Sequence, residues 1–201
     1  MNLDFSDDQK QLQEQVRRYL TEKCPTSKVR EVLESDTAYA ADVYKGLAEL
    51  GALGVAIPEE YGGVGLSHLE LCLVAEEIGR AMAPVPAASS IYLAAEFLLE
   101  AGSEAQKSKW LPALASGESV GCFAYAEGLG EMSDDKISAT VSDGKLSGAK
   151  LPVADGSIAA FAVVAAKSNG KTSLFLVDLS ADGVSRTNVE TVDPTKNYAE
   201  L

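Results

Sequence analysis

At 201 residues, 46% of them hydrophobic and 23% charged, the chain is long enough for one large domain or two small ones with real cores, and nothing in its composition points to disorder. A formal net charge of −13 repels phosphate backbones, which excludes nucleic-acid binding, and an anionic ligand would need a local basic or amide-lined site. The three cysteines, Cys24, Cys72 and Cys122, are odd in number and far apart. They fit neither zinc spacing nor a disulfide framework, and the expectation is buried or partly buried free thiols in a reducing compartment. Residues Met1-Asn2-Leu3-Asp4-Phe5 lack the basic region and apolar core of a signal or transit peptide. No apolar run approaches the ~20 residues of a membrane span, so the expected location is cytoplasmic.

Helical spacing dominates the first part. Ser6 and Gln9 have capping-box spacing, and Leu12, Val16 and Leu20 recur on one face behind them. A second helix is expected over 38–50, with Val43, Leu47 and Leu50 on its stripe and Gly51 ending it in a left-handed conformation. Residues 57–66, with one proline and three glycines, read as a shaped loop. Ser67 and Glu70 open a further helix that carries Leu71, Val74, Ile78 and Met82 inward and stops before Pro84 and Pro86. A fourth helix over 89–101 ends at Gly102. A fifth opens on Ser103 with Gln106, contains the single Trp110 and ends near Gly117. His68 reads as a solvated helix-start residue.

Near residue 118 the period changes to that of strands. Residues 120–126 are an apolar run, and Ile137, Ala139 and Val141 alternate before an Asp143-Gly144 turn and Leu146. Residues 161–166 and 172–177 flank Asn169-Gly170, a strong hairpin signal, and 184–189 suggests one more strand. The expected fold is α+β: an all-α helical domain over 1–117, then a small, incomplete antiparallel β-barrel domain over 118–201. No Gly-rich strand-to-helix motif for a Rossmann or P-loop site is present.

Several segments, in this order, resemble the acyl-CoA dehydrogenase family. Ile57–Leu66 looks like its helix-linking loop, and Ala75-Glu76-Glu77-Ile78-Gly79-Arg80 like the segment after it. The stretches 102–107 and 111–118 resemble its last amino-terminal helix, and Asp193-Pro194-Thr195-Lys196 a segment late in its middle domain. The resemblance implies three parts: amino-terminal helices, a middle β-barrel and a carboxy-terminal helical bundle. The chain is expected to hold the first part and most of the second. It also implies FAD as cofactor, an acyl-CoA substrate in lipid metabolism, electron-transfer flavoprotein as electron acceptor, and a homo- or hetero-oligomer. The implied base is a glutamate, usually in the third part, so no catalytic residue is assigned here. Glu59, Glu60, Glu76 and Glu77 are read as solvated charges.

The resemblance places the flavin contacts on two stretches. Phe123-Ala124-Tyr125-Ala126-Glu127-Gly128, with Ser133-Asp134 after it, stands where the family has Ala-x-Thr-Glu-Pro and Gly-Ser-Asp. Gly148-Ala149-Lys150-Leu151-Pro152-Val153-Ala154 stands where it has Gly-x-Lys-x-Trp-Ile-Thr. The candidate cofactor-binding residues are therefore Phe123, Tyr125, Ala126, Ser133, Pro152, Val153 and Ala154, although Phe123 and Tyr125 read equally well as core residues. Ala126 and Ala154 lack the threonine hydroxyl, and Pro152 cannot stack as an indole does. Each loss costs about 1 kcal/mol or more of binding. Three readings stay open: a dehydrogenase subunit, a non-catalytic partner subunit or acyl-CoA-binding module, and an inactive truncated product.

Overall fold

A computed structural model describes residues 4–201, so the first three residues of the amino-terminal stretch lie outside it. In chain order the helices are α1 (Asp7–Lys23), α2 (Thr26–Leu33), α3 (Ala41–Glu49), α4 (His68–Arg80), α5 (Ala87–Ser89), a π-helical segment (Ser90–Ala95), α6 (Glu96–Ala101) and α7 (Glu104–Ala115). The strands are β1 (Gly121–Ala124), β2 (Thr140–Ser142), β3 (Lys145–Ser147), β4 (Val153–Ala154), β5 (Phe161–Ser168), β6 (Lys171–Asp178), β7 (Thr187–Asn188) and β8 (Tyr198–Glu200). Every α-helix among the described residues thus precedes residue 118. By contact the chain divides into two compact units. One contains the described residues up to Pro86 with Ala101–Glu118, the other Ala87–Glu100 with Ser119–Leu201. The helical stretch 87–100 therefore packs with the strands, although chain order sets it among the helices.

In the helical unit all three capping boxes form, at Ser6 with Gln9, Ser67 with Glu70 and Ser103 with Gln106. Gly51 sits at φ 76°, and the amides of Gly51 and Ala52 return to the carbonyls of Ala48 and Leu47, closing α3 in a Schellman motif. The loop 57–66 closes on its own backbone. The Gly65 amide reaches the Ile57 carbonyl at 2.9 Å, and a Cβ on Gly63 would lie 1.9 Å from that same oxygen. Helix α1 packs on α4, with Val16 and Leu20 buried from one side and Leu71, Leu73 and Val74 from the other.

One helix was not expected, and three expectations need correction here. The helix α2 carried no readable signal, because eight residues with one buried side chain, Val32, are too short to show a period. Leu50 is exposed, since α3 ends at Glu49 and leaves Leu50 on the cap. Met82 is also exposed: α4 ends at Arg80, and Met82 turns outward at φ 51°. The face that α4 buries contains Leu73 and Glu77, while Ile78 is only half-buried.

The second unit holds two sheets. In the first, β5 is the central strand, and its run from Phe161 to Ala166 is buried throughout. It pairs antiparallel with β6 across the Asn169-Gly170 turn, whose φ values of 51° and 76° are those of a type I′ hairpin. The β2–β3 hairpin turns the same way at Asp143-Gly144. On its other edge, β5 lies parallel to β1 and touches β2 at Thr140 and Lys167. The sheet is therefore mixed, which corrects the antiparallel expectation: local turn signals reveal hairpins, whereas a parallel partner far along the chain leaves no local mark. The second sheet is short, in the order β4-β8-β7, and only Thr187–Asn188 of the strand expected over 184–189 forms. Neither sheet closes on itself: the strands expected to form an incomplete barrel lie in two open sheets.

Packing makes two glycines opposite test cases. A Cβ on Gly121 would lie 2.6 Å from the Phe161 ring and 2.7 Å from Ala94, whereas nothing lies within 4 Å of one on Gly79 in α4. Gly121→Ala is expected to destabilise the chain by ~1–3 kcal/mol, and Gly79→Ala to stabilise it by ~0.5–1 kcal/mol. Thermal unfolding monitored by circular dichroism checks both signs.

Candidate functional site

Strand alternation splits β1 into two faces. Cys122 and Ala124 are wholly buried, and burial together with the nearby Asp155 pushes the Cys122 thiol up to about 12. Phe123 and Tyr125 are half-buried on the opposite face, their rings stacked with centroids 5.9 Å apart. Phe97 of α6 lies 4.5 Å from the Phe123 ring. The two candidate aromatics are thus neither core residues in the full sense nor free, and they form one continuous aromatic face.

The chain leaves β1 alongside the stretch that leads into β4. The Leu151 amide donates to the Ala126 carbonyl at 2.8 Å, and the Gly128 amide donates to the Leu151 carbonyl at 2.8 Å. One ion pair crosses this seam: Lys150 Nζ donates to Glu127 Oε1 at 2.6 Å and to the Tyr125 carbonyl at 3.1 Å. The Lys150 side chain is 3% exposed and that of Glu127 10%. Glu127 also accepts from the Ser138 amide at 2.7 Å, the Ser138 hydroxyl at 2.5 Å and the Ala139 amide at 3.0 Å. Burial pushes the Glu127 carboxyl up, but the hydrogen bonds from Lys150, Ser138 and the two amides outweigh it and hold the carboxyl at about 2. A carboxyl depressed on folding stabilises the fold above its ordinary value of 4.5, and that contribution is lost as pH falls toward 2.

The candidate residues separate into two groups. Phe123, Tyr125 and Ala126 meet the start of the second stretch, which continues through a cis Leu151–Pro152 bond into β4. There Val153, fully buried, pairs with Ala199, and Ala154 pairs with Tyr198. Ser133 is not brought to this seam. It lies beyond the loop Gly128–Met132, which with Glu127 and Lys136 lines an open cavity of about 280 Å³. The Ser133 side chain bonds Asp135, and its carbonyl accepts from the Lys136 amide at 3.1 Å.

Sequence reasoning missed three charged groups that the fold takes largely or partly out of water. Lys150 and Glu127 are the first two, and the half-buried Asp155 is the third. Its backbone turns at φ 56°, its amide donates to the Asn197 carbonyl at 2.8 Å, and its carboxylate accepts from the Ser89 hydroxyl. Next to Ser89, the Ser90 hydroxyl accepts from the Gly121 amide at 3.1 Å, which ties the π-helical segment to β1. Burial raises the Asp155 carboxyl, with the Ser89 bond and Lys196 opposing it. In the helical unit Glu77 also departs from the solvated reading: its side chain is fully buried, gripped by Arg17 at 2.6 and 3.0 Å and by Arg80 at 2.6 Å. Its partners lie 60 residues upstream and three downstream, which marks it as a structural clasp between α1 and α4. Cys72 is exposed, while Cys24 and Cys122 are buried, and all three are free. Among the described residues there is no cluster of three or more potential metal ligands, and no helix is long and apolar enough to cross a membrane.

A sequence profile of the acyl-CoA dehydrogenase amino-terminal domain matches residues 6–118, more than half of the chain. The chain belongs to the acyl-CoA dehydrogenase family. Three of the four resembling segments, 57–66, 75–80 and 102–118, fall inside that match. The mitochondrial isovaleryl-CoA dehydrogenase of Pongo abelii is 39% identical over 126 residues, 61% of this chain and 30% of that protein. Among solved structures, the ChsE4–ChsE5 complex from Mycobacterium tuberculosis matches with a TM-score of 0.88 at 25% identity, over 100% of this chain and 54% of that one. An acyl-CoA dehydrogenase complexed with FAD from Bacillus anthracis matches with a TM-score of 0.85 at 25% identity, over 98% of this chain and 35% of that one. The chain therefore spans about a third of the curated relative's length and about half or less of these solved chains.

The half-buried Asp155 generates a pH test. Its carboxyl is raised on folding, so the folded chain holds a proton that the unfolded chain releases, and stability falls as pH rises above the ordinary value of 3.8. Asparagine keeps the hydrogen-bonding shape and tolerates a left-handed backbone. Asp155→Asn is expected to melt higher than the parent chain at pH 7, with the gain vanishing in acid where Asp155 is protonated. Melting temperatures across pH 3–7 measure it.

Proposed function

We propose that this chain is part of an FAD-dependent acyl-CoA dehydrogenase subunit, acting in α,β-dehydrogenation of an acyl-CoA thioester, with the catalytic base outside residues 1–201. One observation carries the reading. The stretches 125–128 and 150–154 run side by side next to the Phe123–Tyr125 aromatic face, in a chain of this family. The FAD named for the Bacillus anthracis relative supports the cofactor.

The residues fit a flavin in part. Half-buried aromatic rings offer a surface for a planar ring system, and the backbone amides of Ala126 and Ala154 are the polar groups at its edge. Phe123, Tyr125, Ala126, Pro152, Val153 and Ala154 are the proposed contacts. Ser133, across the glycine loop, is assigned to a more distant part of the cofactor. When bound, FAD supplies a hydride acceptor for the substrate β-carbon. The chain's own contribution is to hold and orient the ring and to exclude water from one face of it. With Ala126 and Ala154 in place of hydroxyl residues and Pro152 in place of an indole, each missing contact weakens that hold by about 1 kcal/mol or more.

Those same three residues favour a second reading, in which this chain is the weakly binding or non-catalytic member of a hetero-oligomer that shares one flavin. The two-component ChsE4–ChsE5 complex of the Mycobacterium tuberculosis relative supports such an assembly. Under either reading the partners are acyl-CoA, a second subunit of the same or a related chain, and electron-transfer flavoprotein as electron acceptor.

Purified chain incubated with FAD and passed through gel filtration tests the binding side. The expected result is little or no retained yellow colour from the chain alone, with retention restored by a complementary subunit. A stoichiometric yellow complex formed by the chain alone would contradict weak binding.

A further inference from the structure

We propose that Glu127 and Lys150 are positioning residues: their buried ion pair fixes the main chain of 125–128 against 150–151 and so sets the backbone edge offered to the flavin. The inference rests on the flavin reading above. The pair stands where three stretches meet. Glu127 gathers four hydrogen bonds from Lys150, Ser138 and Ala139, and Lys150 adds a bond to the Tyr125 carbonyl. The backbone of Lys150 is clamped too, its amide donating to the Leu201 carbonyl at 2.9 Å and its carbonyl accepting from the Leu201 amide at 3.0 Å. Ala126 is thereby held from both sides, the carbonyl before it by Lys150 Nζ and its own carbonyl by the Leu151 amide.

Two considerations raise this above a stability device. First, Ala126 and Ala154 have no side-chain donors, so the polar recognition they offer is backbone N–H. A backbone donor binds only as well as it is placed, because hydrogen bonds weaken steeply with angle and distance. Second, a buried ion pair costs much of its attraction in lost hydration, and an apolar pair of similar volume often serves stability as well or better. The ion pair has a use that an apolar pair lacks: its bonds are directional and reach three backbone stretches at once.

The test uses Glu127→Leu/Lys150→Met, which removes both charges together and avoids stranding one, and Ser138→Ala, which removes one donor and leaves the ion pair whole. FAD affinity is read by flavin fluorescence titration and melting temperature by calorimetry. The expected result is a melting temperature close to that of the parent chain, with FAD affinity reduced roughly tenfold in the double variant and a few-fold in Ser138→Ala, the scale of one well-placed hydrogen bond. Parent-like affinity in a folded double variant would overturn the proposal. If the double variant does not fold, Ser138→Ala decides in the same way. If the parent chain alone shows no saturable FAD binding, the titration is repeated with the complementary subunit present; no saturable binding there overturns the flavin reading independently, and amide exchange at Gly128 and Leu151 then decides the positioning role. Faster exchange in Ser138→Ala at unchanged melting temperature supports it, and unchanged exchange refutes it.

Discussion

A carboxylate and an ammonium almost out of reach of water have to find each other, and the local structure of the second unit follows from that constraint. Lys150 at 3% exposure has a charge that Glu127 neutralises and that also donates to a carbonyl oxygen, and Glu127 in turn gathers donors from 138–139. If either charge were missing, the other would be stranded, at a cost of ~3–5 kcal/mol. The course of the chain after β1, the entry to β4 and the approach of the terminal Leu201 to Lys150 are all fastened at this point.

The two units use the same device for different ends. In the helical unit Glu77 is buried between Arg17 and Arg80, and the arginine forks hold its carboxyl below the usual carboxylate range against the pull of desolvation. That clasp joins two helices that already share an apolar seam through Val16, Leu20, Leu71 and Val74, and no backbone edge is presented beside it. Around Glu127 the charge pair aligns two stretches joined by a single isolated bridge instead of continuous strand pairing. Asp155 is the exception: with a hydroxyl and a distant lysine as its compensation, burial wins and its carboxyl rises.

Features encoded within a few residues were legible in the sequence. The three capping boxes, Gly51 at the end of α3 and the two type I′ hairpins each depend on residues adjacent or no more than three positions apart. What escaped was long-range. Glu127 and Lys150 are 23 residues apart, Arg17 and Glu77 are 60, and the β1–β5 pairing spans about 40 positions, so no window could show them. The segment resemblance identified the family and lined up the stretches 123–128 and 148–154, which the fold brings side by side. It gave Ser133 the same standing, and that residue follows the glycine loop Gly128–Met132. The incomplete barrel was also an expectation of the resemblance, and the strands of this chain form two open sheets.

The state of the Glu127 carboxyl tests the account most directly. Carbon-detected NMR titration of the side-chain carboxyl in the folded chain reads it without reference to stability or ligand. A buried ion pair fed by three further donors predicts a midpoint of about 2, far below the ordinary 4.5. A midpoint at or above 4.5 would mean that Glu127 is not paired with Lys150 in solution, and the proposed placement of the flavin-facing backbone would lose its foundation.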